Sequence, residues 1–153
     1  MLQLDLLQKH MDKCDTLAEW IYQEFIYEFD GQCLASWQAA FAAGQCNGDW
    51  KTLIAVENGC LLGGASLARN DLAERPDLSP WLACVFVTPS ARRRGIAAQL
   101  IEGISRHAQA AGVATLYLHT QNERNYYAKL GWQMLERFEG WGREHSLMFR
   151  PLQ

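Results

Sequence analysis

The sequence predicts an α/β layered domain: a central mixed, mostly antiparallel β-sheet flanked by helices, in the order β-α-α-β-β-β-α-β-α-β-β. Three observations predict it. Trp81 to Val87 is a nearly continuous apolar run ending just before Pro89, as expected of a central strand covered on both faces. Ile96, Leu100, Ile101, Ile104 and Ala108 then recur at helical steps, and Ala114 to Thr120 is strand-like again, so the three segments read as a right-handed parallel crossover. Asn58-Gly59, set between two apolar stretches, is a strong hairpin signal.

The other elements follow in order. Residues 2–7 form a short first strand, with Leu2, Leu4 and Leu6 alternating. Asp12 to Phe29 reads as a helix, because Leu17, Trp20, Ile21, Glu24, Phe25 and Glu28 fall at three- and four-residue steps. Gly31 breaks it, and Leu34 to Ala43 is a second helix. Thr52 to Glu57 and Cys60 to Arg69 are the hairpin strands, and Gly63-Gly64 suggests a bulge or a close backbone contact. Residues 70–80 are a polar loop. Gly112 ends the crossover helix, Asn122 to Leu130 is a short helix, and Trp132 to Glu139 with His145 to Arg150 closes the sheet.

Length and composition bound the function. The 153 residues suit a single domain spanning 1–153. The formal charge of -3 gives no global attraction for nucleic acid. Five cysteines without a CxxC pair imply neither a disulfide framework nor a metal site, and free thiols fit a reducing compartment. No signal peptide and no apolar stretch long enough for a membrane span is visible, so a cytoplasmic protein is expected. The oligomeric state is open, a homodimer included.

Two segments carry chemistry. After Val85-Phe86-Val87-Thr88-Pro89 comes a basic, glycine-containing turn, Arg92-Arg93-Arg94-Gly95, and then a helix start. Unpartnered N–H groups at a helix start, with the dipole behind them, favour an anion. Gly95 and Ala97 remove bulk where a ligand must approach the backbone. The loop lacks both the Gly-Lys-Ser/Thr of a Walker loop and the three-glycine dinucleotide spacing. A helix start that binds nothing, or a nucleic-acid patch, are the plainer readings. The second segment is Tyr126-Tyr127-Ala128-Lys129-Leu130-Gly131-Trp132, where Gly131 suits a helix C-terminus.

The order Arg92-x-x-Gly95-x-Ala97 resembles the coenzyme A loop of the GNAT acetyltransferase superfamily, and Tyr126 to Trp132 resembles its aromatic-Tyr-x-Lys-x-Gly-aromatic segment. The resemblance covers roughly Thr52 to Phe149 well and the N-terminal helices loosely. It implies an N-acetyltransferase that takes acetyl-CoA and an amine acceptor, with no metal. It further implies that the pantetheine arm inserts between splayed strands and adds to the backbone of Val85, Phe86 and Val87. The diphosphate would lie over the amides of Arg93, Arg94, Gly95, Ile96, Ala97 and Ala98, with the arginine side chains, Arg92 especially, at the rim. Thr120 stands where the family often has a pantetheine-binding asparagine; the role is not carried over to Asn122. Ala97 replaces the last glycine of the pattern.

Tyr127 resembles the tyrosine that protonates the leaving thiolate. A phenol holds its proton at neutral pH and can give it away. Core packing beside Trp132 is the competing reading for Tyr127, and Tyr126 is a competing donor pointing elsewhere around the helix. A backbone N–H near Val87 is the natural oxyanion donor. The general base stays open among Glu24, Glu28, Asp71, Glu74, Asp77 and His119, or a water chain. The acceptor site is expected from the first helices, the 70–80 loop and the last strand pair, which hold Trp20, Tyr22, Trp37, Trp81 and Trp141. The alternative function is a coenzyme A-binding sensor or interaction module with the fold but no turnover.

Overall fold

The structure, a computed structural model, describes residues 1–152. Its seven strands are β1 (Leu2–Leu6), β2 (Trp50–Glu57), β3 (Cys60–Ala68), β4 (Trp81–Val87), β5 (Thr115–Thr120), β6 (Gln133–Gly140) and β7 (Arg143–Pro151). Four α-helices join them: α1 (Cys14–Glu24), α2 (Leu34–Asn47), α3 (Ile96–Ala110) and α4 (Arg124–Lys129). The order along the chain is the expected one. In the sheet the strands lie β1-β2-β3-β4-β5-β7-β6. Only β4 and β5 are parallel; every other neighbouring pair is antiparallel.

Alternation along β2 explains why both faces carry helices. Leu53 belongs to a core with Ile96, Leu100, Ile101 and Ile104 of α3, while the next residue, Ile54, joins a second core with Leu17, Ile21, Trp37 and Phe41 of α1 and α2. A third cluster, with Leu72, Leu78, Trp81 and Leu147, sits under the loop that precedes β4. Trp81 is wholly buried and its indole N–H donates to the Leu78 carbonyl at 2.9 Å, which ties that loop down.

Several boundaries differ from the sequence reading. The first helix ends at Glu24, not Phe29: Phe25 leaves helical geometry (φ -113°, ψ 33°) and a single 3-10 turn covers Ile26–Glu28. Packing overrides the helical spacing here. Tyr22 and Phe29 pack with ring centres 4.9 Å apart, and the Tyr22 hydroxyl donates to the Gln32 carbonyl at 2.8 Å, which draws the chain back. Helix α2 runs on to Asn47 and stops at Gly48, whose φ of 89° suits a helix C-terminus. Gly44 lies inside it, where a side chain would collide with the Trp50 ring. Strand β2 starts at Trp50 and β7 at Arg143, both two residues earlier than expected.

The Gly63-Gly64 signal divides into two features. On β3, Leu62 is an extra residue against β2, and a Cβ on Gly63 would overlap the Phe86 backbone carbonyl, so β3 and β4 approach closely. The second bulge lies on β4: Ser66 faces Ala83 and Gly64 faces Phe86, which leaves Cys84 and Val85 opposite Ala65 alone. Cys84 takes φ 57° there. Gly63→Ala must push backbone against backbone. It should destabilise the fold by about 1–3 kcal/mol, read as a lower urea midpoint at unchanged slope.

Candidate active site

Parallel strands β4 and β5 meet at one registered pair only, Trp81 opposite Tyr117, supported by Tyr117 N–H donating to the Pro80 carbonyl at 3.2 Å. Beyond it they part toward their C-terminal ends. The β5-facing edge of β4 from Leu82 to Val87 therefore has no strand partner. Thr88 N–H donates to the Leu62 carbonyl at 2.8 Å, on the β3 side. Ladder alternation then turns the Val87 N–H and C=O toward the open edge. Val85 lines the cleft between the strands, and Phe86 and Val87 complete the C-terminal end of β4.

The basic loop folds beside this edge. Pro89–Ala91 makes a 3-10 turn, Arg93 (φ 65°) and Gly95 (φ 76°) adopt left-handed geometry, and α3 begins at Ile96. The first helical bond is from Gln99 N–H to the Gly95 carbonyl at 3.1 Å. Among the described residues, no N–H from Arg93 to Ala98 has an intramolecular acceptor. Six consecutive open donors at a helix start form an anion nest.

The three arginines differ in what they are free to do. Arg92 Nε donates to the Val87 carbonyl at 2.9 Å, and its guanidinium lies 5.6 Å from the Phe86 ring centre. Arg92 thus fastens the loop to the strand end and satisfies an edge carbonyl, leaving its terminal nitrogens without a hydrogen-bond partner among the described residues. Arg94 is held by both Glu57 oxygens at 2.7 and 3.1 Å. Arg93 is exposed, with no ion pair or side-chain hydrogen bond among the described residues. Thr120 Oγ1 accepts from Glu123 N–H at 3.1 Å, which starts α4 and leaves the hydroxyl proton to donate.

Tyr127 is buried to 9% exposure, on the face of α4 turned toward the sheet, and its ring packs edge-on to Trp132 at 6.2 Å. It also lines the cleft, with no side-chain hydrogen-bond partner among the described residues. Burial and the neighbouring Tyr126 and Glu123 raise its pKa well above that of a free phenol, so it keeps its proton. Tyr126 is more exposed, at 37%.

A cleft of about 900 Å³ runs from the β4–β5 opening to the 3-10 turn after α1, the loop after β3 and the β6–β7 turn. Of the candidate bases, it gathers Glu24, Glu28, Asp71, Glu74 and His119. Asp77 is not among them. Arg75 takes both its oxygens at 3.0 and 3.1 Å and also reaches Glu136, which pins the loop outside the cleft. His119 Nε2 lies 3.1 Å from Asp71 Oδ2, off the axis of an aligned hydrogen bond. Burial works against the His119 charge, but the Asp71 contact and the Glu28 charge outweigh it, and the pKa rises.

Glu28 is the best-poised carboxylate. Burial pushes its pKa up to about 7 against the pull of His119, with Asp71 adding to the rise. The early end of α1 puts it here, so its assignment to the same helix face as Glu24 does not hold. Of the anticipated aromatics, Trp141 and Trp37 line the cleft. Trp81 is a core anchor, Trp20 packs on Phe86 at 5.9 Å, and the Tyr22 hydroxyl is spent on Gln32. Sequence reasoning missed Tyr27, Arg143 and His145. Tyr27 was hidden inside the overlong helix. His145 is 1% exposed and stacks on Phe138 at 5.2 Å, and burial lowers its pKa.

The comparisons agree with this geometry. A family model described as the acetyltransferase (GNAT) family matches residues 14–132. An aminoglycoside 6'-N-acetyltransferase solved with coenzyme A superposes with TM-score 0.78 at 15% identity, covering 99% of this chain and 97% of its own. An N-acetyltransferase from Staphylococcus aureus Mu50 gives 0.77 at 21% identity, covering 100% and 99%. The Salmonella typhimurium protein yncA, solved with its cofactor acetyl-CoA, gives 0.76 at 17% identity, covering 100% and 95%. No curated protein gives a significant match. No described helix is long and apolar enough to cross a membrane. With the match spanning most of its length and the parted strands ahead of an open-amide helix start, the chain belongs to the acetyltransferase (GNAT) family.

Proposed function

We propose that the chain is an acetyl-CoA-dependent N-acetyltransferase that moves an acetyl group directly to a primary amine in a ternary complex. The observation that carries this reading is the β4–β5 opening, with unpaired backbone donors on one wall, Tyr127 on another and a helix-start anion nest beside it. Acetyl-CoA supplies an activated thioester carbonyl, and the residues present fit it. The Arg93–Ala98 amides suit its diphosphate. On the open edge of β4, Val85 and Val87 offer backbone groups to the pantetheine arm, with Phe86 between them turned to β3, and the Thr120 hydroxyl offers one more donor.

The protein's own groups then divide the work. Glu28 takes a proton from the incoming ammonium, so that a neutral amine attacks. The Val87 N–H, turned to the open edge, donates to the carbonyl oxygen as it gains charge. Tyr127 gives its proton to the departing sulfur and so stabilises the thiolate. The raised Tyr127 pKa makes that donor proton-bearing at any physiological pH.

The reading is tested by free-thiol release from acetyl-CoA across an amine panel. Tyr127→Phe should lower kcat by roughly 10²–10⁴-fold while leaving coenzyme A affinity unchanged. Binding with no release from any amine would favour a coenzyme A sensor instead.

The Glu28 assignment makes two pH predictions. Charged or titratable neighbours are Tyr27 on its own turn, Glu24 on α1, Asp71 on the loop, His119 on β5 and Arg143 on β7. kcat/KM should rise as pH passes through about 7, where Glu28 deprotonates, and Glu28→Gln should remove that limb. Stability runs the other way. The folded state raises the Glu28 pKa, so its favourable contribution is complete below the ordinary carboxylate value and is lost as pH rises through about 7. Glu28→Gln should therefore melt above the parent protein near pH ~8.5 and level with it near pH ~4, by thermal unfolding.

A further inference from the structure

Trp141 occupies a backbone conformation that its side chain disfavours. It and Gly142 form the tip of the β6–β7 hairpin, with φ 53° and 73°. Asparagine, aspartate or glycine normally fills the first of these positions, because a bulky residue at positive φ is strained. The ring is nevertheless 38% exposed, so burial does not repay the strain. Its contacts show what the position provides. The indole stacks on His119 at 5.8 Å, meets Tyr27 edge-on at 5.9 Å and His145 edge-on at 5.2 Å. An indole is thereby fixed at the cleft mouth, backed by His119 and partly exposed, and an exposed indole face attracts a cation.

The charges around this aromatic wall point the same way. Glu24, Glu74 and Glu123 line the cleft near the surface and have no salt-bridge partner among the described residues. Among the described residues, Arg143 is the one lysine or arginine lining it. That guanidinium is already placed, 4.6 Å from the Tyr27 ring centre with Nη1 donating to Gln121 at 3.1 Å. Deeper in, Asp71 is matched by His119, and Glu28 serves the reacting amine. His119, with a side chain 4% exposed and no aligned partner on Nε2, marks this wall as receptive to a polar ligand. Acetylating a single amine leaves the three outer carboxylates and the held indole without a task.

Resting on the acetyltransferase reading of this cleft, we propose that the acceptor is a diamine, with one amine at the reaction centre and a second retained as an ammonium between the Trp141 face and the outer carboxylates Glu24 and Glu74. The apolar walls between the two ends suit an alkyl or similarly uncharged spacer. An acidic acceptor such as glutamate would meet repulsion along the whole entrance.

Titration calorimetry on the free and the coenzyme A-saturated protein tests this with 1,6-diaminohexane against hexylamine. The diamine should bind about tenfold more tightly at low ionic strength, and the advantage should shrink as salt is added. Trp141→Asn keeps a residue suited to the turn, so it should raise the melting temperature while cutting diamine affinity by about 2–5-fold. Hexylamine affinity should not change. A merely structural tryptophan would give the opposite: lower stability and no change in the diamine-to-monoamine ratio. The double variant Glu24→Gln, Glu74→Gln should bring that ratio near one. Equal binding of the two amines to the parent protein would overturn the inference. Thiol release from acetyl-CoA with either amine, run in parallel, separates the layers. Transfer with no diamine preference sinks this inference alone, while absent coenzyme A binding sinks the acetyltransferase reading beneath it.

Discussion

Everything functional in this chain depends on β4 and β5 being joined at one point and then separating. Parallel neighbours ordinarily satisfy each other's edge groups along their length. Here the contact of Trp81 with Tyr117 is the hinge, and past it the edge of β4 is left with donors and acceptors for something else. A row of unpaired backbone groups inside a fold is costly unless water or a ligand meets it. The protein keeps the row open and builds around it. Arg92 takes the Val87 carbonyl, the bulge at Cys84 re-aims the strand, and the close approach at Gly63 fixes β4 from its other side.

The same division sets two different chemistries on either side of the open edge, at the start of α3 and in the cleft toward α1. The α3 end offers main-chain N–H groups and arginines, hence affinity for anions. The α1 end offers carboxylates and aromatic faces, hence affinity for cations. Tyr127 and Glu28 sit in the same cleft, and burial raises both their pKa values, though to different effect. The tyrosine is held in its proton-bearing form. The glutamate is brought into the range where it can take a proton near neutrality.

The fold was largely legible in the sequence because its signals were local and mutually consistent. The α3 stripe, the Asn58-Gly59 turn and the apolar β4 run each fell where expected. The loop of open amides at the start of α3 was legible for the same reason: a loop and a helix start are contiguous in sequence. The acceptor side was not. It is assembled from four separate segments, and its key carboxylate became visible only once α1 proved to end at Glu24. That end is dictated by aromatic packing of Tyr22 on Phe29 and of Phe29 on Trp37, contacts that no helical periodicity encodes. Asp77 shows the converse. Its loop position looked suitable, but its partner Arg75 is itself held by Glu136, sixty-one residues away.

Amide chemical shifts offer the most direct view of the parted strands at work. In a titration of ¹⁵N-labelled protein with coenzyme A, the largest changes should fall on the amides of Arg93 to Ala98 and of Val85 to Val87, a helix start and a strand edge responding along one binding curve. Unchanged shifts in both groups at saturation, or changes confined to other surfaces, would contradict the claim that the open edge of β4 and the start of α3 together hold the donor.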